Sequence, residues 1–144
     1  MRDAIGKHRT IAGLHILLVE DDAETATSLT ALLELEGARV RTAGDGLEAL
    51  RMLAEEPVDA VVSDIGMPHM DGYELMRKIR SDPAVSGVRA IALTGRNRHD
   101  EVQAAHEAGF NAHLAKPLEF QQLLDELGAL TPGGRSAAGR CSPQ

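Results

Sequence analysis

Aromatic residues are nearly missing from this chain: Tyr73, Phe110 and Phe120 are the full set, and there is no tryptophan. Any core must then be assembled from Leu, Val, Ile and Ala. Cysteine is equally scarce. The single thiol, Cys141, lies in a polar tail and permits no internal disulfide, which fits a reducing compartment. Positive charge is also in deficit. With a formal charge of -7 and no basic cluster interleaved with aromatics, a nucleic-acid partner is not expected. No apolar run approaches membrane-spanning length, and the N-terminus lacks the apolar centre of a signal peptide. The expectation is a cytoplasmic protein with no membrane partner.

The chain has 144 residues, enough for one domain with a real core, and its 43% apolar and 26% charged residues suit a globular protein. Residues 1–14 are polar and mixed, and read as a leader or linker in which Ile11 and Leu14 can touch the domain. Residues 131–144 (TPGGRSAAGRCSPQ) bury too little apolar surface to order themselves, so a disordered tail is expected. The domain proper is expected over 15–130.

Within that span, apolar runs alternate with helical spacing. His15 to Val19 is continuously apolar after its first residue, as a strand covered on both faces should be. Ala23 to Glu36 follows as a helix with Leu29, Leu32, Leu33 and Leu35 on its apolar side, Asp22 as its cap and Gly37 as its stop. Arg39 to Ala43 alternates like a more exposed strand. Leu47 to Glu56 is a helix with Leu47, Leu50 and Leu53 on one face, ended by Pro57. A strand over Asp59 to Asp64 leads through a Met67–Gly72 loop to a helix from Tyr73 to about Arg80. Ala90 to Leu93 is the fourth strand, and the polar loop Arg96-Asn97-Arg98-His99 precedes a helix from about Asp100 to Ala108. The strand Ala112–Ala115 and a helix from Glu119 to about Leu130 complete the domain. Five strands alternating with five helices predict an α/β fold, a doubly wound, five-stranded parallel sheet with helices on both faces.

Ligands of such sheets bind beyond the carboxyl ends of the strands. There the sequence delivers Glu20 and Asp21, then Asp64, then Thr94, then Lys116. Three gathered carboxylates repel one another unless a cation neutralises them. Oxygen ligands without His or Cys suit a hard divalent ion, most naturally Mg2+. A metal beside a lysine and a threonine fits a transferring phosphoryl group. Asp64 stands alone at its strand end, where Gly66 and Pro68 stop the apolar run, and an aspartate can be the nucleophile that forms an acyl phosphate. Each residue also has a plainer role: helix-capping acid for Glu20-Asp21-Asp22, a strand end for Thr94, a solvated lysine for Lys116. One site accounts for all five positions together.

Four stretches carry a resemblance: Ile16-Leu17-Leu18-Val19-Glu20-Asp21-Asp22, Ser63 through Gly72, Ala92-Leu93-Thr94-Gly95, and Ala112 through Pro117. In type, order and spacing the chain resembles the receiver domain of a two-component response regulator. The resemblance implies a flavodoxin-like sheet of strand order 2-1-3-4-5. It implies that Asp64 accepts a phosphoryl group from a histidine kinase or a histidine phosphotransfer protein, within a phosphorelay. Asp21 and Asp64 would bind magnesium directly with the backbone carbonyl of Gly66, and Glu20 through water. Thr94 and Lys116 would contact the phosphoryl oxygens, and the Lys116–Pro117 bond would be cis. Such a phosphoprotein switches a surface for a downstream partner that the sequence does not name. It catalyses only its own phosphorylation and dephosphorylation, so no external substrate is expected.

Two departures stand out. The position three before the lysine is often Tyr or Phe in the family and is His113 here, which puts the usual aromatic readout in question. No output domain is recognisable after residue 130, so a stand-alone receiver and a receiver excised from a hybrid histidine kinase are both compatible with the chain. Two other functions compete. A haloacid-dehalogenase-like phosphatase would need a second carboxylate two residues after its nucleophile, where this chain has Gly66. A pseudo-receiver would keep the fold as a binding module without being phosphorylated, yet all five expected side chains are present.

Overall fold

The computed structural model describes residues 11–67, 69–95 and 99–130. Its elements run β1 (His15–Val19), α1 (Ala23–Leu35), β2 (Arg39–Ala43), α2 (Gly46–Glu55), β3 (Ala60–Asp64), α3 (Gly72–Arg80), β4 (Arg89–Thr94), α4 (His99–Ala108), β5 (Ala112–Ala115) and α5 (Phe120–Leu130). The five strands pair in parallel in the order β2-β1-β3-β4-β5, the flavodoxin-like arrangement that the resemblance implies. Residues 1–10, the tail from 131 with its Cys141, Pro68 and the loop 96–98 lie outside the described residues.

Side chains of a strand alternate between faces, and the sheet sorts its apolar residues accordingly. Leu17, Val19, Val61, Ala90 and Ala92 join residues of α2, α3 and α4 in one core. Ile16, Leu18, Val62, Ile91 and Leu93 join residues of α1 and α5 in the other. Ile11 and Leu14 belong to this second core at 3% and 1% exposure, so the segment just before β1 is packed onto the domain. Its backbone is tied there: Gly13 donates to the carbonyl of Gly37, and Arg39 donates to that of Leu14.

Capping decides where helices begin. Asp22, Asp45 and Asp71 each accept a hydrogen bond from the backbone N–H three residues on, which satisfies a donor that the first turn leaves free. The Asp45 and Asp71 caps start α2 at Gly46 and α3 at Gly72, one residue earlier than the apolar spacing suggested. Similarly α4 takes in His99, which the sequence assigned to the preceding loop, and β4 reaches Thr94, which pairs with Ala115.

Two apolar faces need correction. The buried stripe of α1 is Ala26, Leu29 and Leu33, a three-four spacing. Leu32 and Leu35 lie off that stripe and are 40% and 81% exposed. On α2 the stripe is Gly46, Ala49 and Leu53, with Leu50 partly buried beside it, and Leu47 faces solvent.

At the opposite end of the sheet from the carboxyl edge, Arg80 closes the molecule. Its guanidinium donates to the carbonyls of Gly109, Ser86 and Val88 and to Asn111 Oδ1, which also accepts from the Ala90 N–H. Gly109 holds φ +119°, and a Cβ there would stand 2.6 Å from Arg80 Cγ. Among the described residues no helix is long and apolar enough to cross a membrane.

Candidate functional site

The backbone ladder continues one residue past several strands, and the site lies at that edge. Glu20 N–H donates to the carbonyl of Ala43, Ile65 N–H to that of Leu93, and Lys116 N–H to that of Thr94. Asp64 itself pairs with Leu93. Behind it α3 comes very close: the Gly72 N–H donates to the Ile65 carbonyl, and a Cβ on Gly72 would stand 2.6 Å from the Asp64 carbonyl oxygen. Only glycine lets the helix start so near the strand end.

Carboxylate oxygens of Glu20, Asp21 and Asp64 lie within 4.8 Å of one another. Glu20 and Asp64 are buried at 4% and 7% exposure, whereas Asp21 is exposed. Lys116 reaches the same place from β5, with its Nζ 3.2 Å from Asp64 Oδ2 and 3.7 Å from Glu20 Oε1. The Lys116–Pro117 bond is cis, as the resemblance implied. Thr94 is 1% exposed, and its hydroxyl lies 3.5 Å from the carbonyl of Leu114, to which it donates a long hydrogen bond. Gly66 is exposed in the turn after β3, where a Cβ would meet nothing within 4 Å. Asp22 is drawn away from the acids by its cap, where its Oδ2 accepts from the N–H and the hydroxyl of Thr25.

Burial pushes the Glu20 carboxyl above the usual glutamate range. The Asp22 N–H, which donates to Glu20 Oε2, opposes that rise, the charge on Asp64 adds to it, Lys116 opposes it and Asp21 adds to it. The other oxygen, Glu20 Oε1, is buried and accepts no hydrogen bond. A buried carboxylate oxygen with no hydrogen bond, a cation no nearer than 3.7 Å and two more carboxylates beside it is a ready oxygen ligand. The donors are all oxygen and the group is negative even after Lys116 is counted, so the residues present fit a hard divalent ion such as magnesium.

His113 is half-buried on β5 and meets the ring of His106 on α4, with centroids 5.8 Å apart and planes at 85°. His106 was not apparent from sequence. It belongs to no motif, and only the packing of α4 on the sheet brings it to His113.

Fold and site define a doubly wound parallel domain whose carboxyl edge holds an aspartate between acids and an ammonium. The family model for the response regulator receiver domain matches residues 16–128, and the chain belongs to that family. It is similar to an uncharacterized 14.6 kDa protein encoded in the sodA1 3' region of Leptolyngbya boryana, with 42% identity over 116 residues, 81% of this chain and 88% of that one. It is also similar to probable histidine kinase 2 of Oryza sativa subsp. indica, with 35% identity over 87% of this chain; there it spans only 14% of the relative's length. Among solved structures, the receiver domain of sensor histidine kinase PA1611 from Pseudomonas aeruginosa is 35% identical. It superposes with a TM-score of 0.76 over 83% of this chain and 98% of that one, and was determined with a magnesium ion in its active-site cleft. The chain is thus a receiver domain, of a kind found in response regulators and in histidine kinases.

Proposed function

We propose that Asp64 is the phosphoacceptor of a magnesium-dependent phosphorelay, and that its donor is the phosphohistidine of a histidine kinase or a histidine phosphotransfer protein. The observation that carries this reading is the meeting of Lys116 Nζ with Asp64 Oδ2 at 3.2 Å inside a group of three carboxylates. An Asp64 carboxylate oxygen forms a bond to phosphorus as the phosphorus–nitrogen bond of the donor breaks, and the electron pair of that bond leaves with the donor imidazole. Lys116 offsets the charge of the phosphoryl oxygens, and the Thr94 hydroxyl turns from the Leu114 carbonyl to donate to one of them. Glu20, Asp21 and Asp64, with the Gly66 carbonyl, would hold Mg2+, which supplies further neutralisation of the phosphoryl charge when bound.

Release of Leu114 by Thr94 frees the strand next to His113, so we read His113 as the switch position of a surface that a downstream partner senses. The chain acts on no external substrate and works in the cytoplasm. Its acids are arranged around a single nucleophile, and Gly66 stands where a phosphatase of the competing class needs a second carboxylate. Intact-mass spectra after incubation with acetyl phosphate test the reading. Wild type gains one phosphoryl group only with magnesium, and Asp64→Asn gains none. If neither acetyl phosphate nor a phosphorylated histidine kinase domain loads the wild type, the chain is a pseudo-receiver.

A further inference from the structure

The acid pocket contains no nitrogen ligand, yet the molecule has a nitrogen pair elsewhere. His113 lies on the β5 position that pairs with Ala92, whose side chain belongs to the core covered by α4. That parity sends the imidazole toward α4, where His106 waits in the last turn. The rings meet edge to face at 5.8 Å, one from a helix and one from a strand. Among the described residues neither ring makes a hydrogen bond or an ion pair, so its nitrogens are uncommitted.

We propose that His106 and His113 form a second metal site, for a borderline divalent cation of the zinc type. Imidazole nitrogen prefers zinc, copper and nickel over magnesium, the reverse of the carboxylate pocket. Zinc–nitrogen bonds of about 2.0–2.1 Å put each ring centre roughly 3 Å from the ion, so two centres 5.8 Å apart close on one ion with a turn of the rings. The pair is reached from solvent at His106, which is exposed on α4, while His113 is half-buried on β5. Two histidines leave coordination positions for water or for a side chain of a docking protein, so the site is one that a partner can complete.

The site itself does not depend on the phosphorelay reading. Its consequence for signalling does: an ion that fastens α4 to β5 at His113 holds the switch position still.

Isothermal titration of zinc chloride into the full chain tests the site. Magnesium is kept saturating to occupy the carboxylates, and the background carries Cys141→Ser to remove the thiol. One zinc binds per chain, and His106→Ala and His113→Gln each weaken it roughly tenfold or more. His106 is exposed, so its loss leaves the fold intact. Absence of binding, or binding unchanged by either substitution, overturns the proposal, as does loss in one variant alone, which marks a single-histidine site. Asp64→Asn, which cannot be phosphorylated, retains the zinc isotherm, so failure of this site and failure of the phosphoacceptor reading are told apart.

Discussion

Lys116 and Asp64 leave the sheet from strands separated by β4, and their charged atoms end 3.2 Å apart. The ammonium therefore occupies part of the space that a divalent ion would claim. Lys116→Gln removes that competitor. Magnesium affinity rises several-fold by titration calorimetry, while phosphoryl uptake from acetyl phosphate slows, because the same charge is lost from the transferring group.

Glu20 is held with a raised carboxyl pKa and one oxygen unsatisfied. The folded state then keeps its proton more firmly than the unfolded chain does. Stability of the metal-free protein falls as pH climbs from the ordinary glutamate value of 4.5 through the folded value. Glu20→Gln removes this penalty and stabilises the metal-free protein at neutral pH by on the order of 1 kcal/mol in urea melts. The same variant gains less stability than wild type from added magnesium.

Asp22 shows the opposite sign. Its hydrogen bonds to Thr25 hold the carboxyl below its ordinary value of 3.8. The cap stabilises α1 above that pH and fades as pH falls through the folded value. Asp22→Ala therefore melts earlier than wild type at pH 7, and the gap closes on acidification below about 3.8.

The Thr94 hydroxyl donates to the carbonyl of Leu114 on β5. Thr94→Ala still accepts a phosphoryl group in the mass assay. NMR shifts of His113 on addition of the phosphoryl mimic beryllofluoride, clear in wild type, disappear in the variant. Persistence of those shifts would sink the Thr94 route.

Arg80, at the end of α3, makes four hydrogen bonds to the loop before β4 and the turn before β5, from a half-buried position. Arg80→Ala strands those acceptors and lowers unfolding stability by about 2–3 kcal/mol. Gly109→Ala loses about 1–3 kcal/mol, since its backbone is left-handed and the new Cβ collides with Arg80.

Much of this architecture could be read from the chain because continuous apolar runs mark the central strands, alternation marks the exposed β2, and turn residues bound each element. β1, β2 and β5 stand where the sequence pattern puts them, and three strand ends do bring Glu20, Asp21, Asp64 and Lys116 into one pocket. Thr94 stands at the same edge, with its hydroxyl aimed at Leu114. What could not be read depends on rotation and distance. Helical leucines such as Leu35 and Leu47 look apolar in any periodic count, yet a residue one step off the stripe faces water. His106 gave no hint because its significance is a contact between elements. Arg80 looked like any charged residue near a helix end until the carbonyls around it were in place.

The site joins Glu20, near the start of the fold, to Lys116, which arrives only with the last strand. A chain emerging from the ribosome displays its three acids well before the ammonium that balances them. Until β5 docks on β4, the strand carrying Thr94 is an open edge and Asp64 has no cationic neighbour from this set. On the proposed reading, competence to receive a phosphoryl group is therefore a property of the finished domain, and a half-synthesised or clipped receiver lacks the ammonium that would answer its donor.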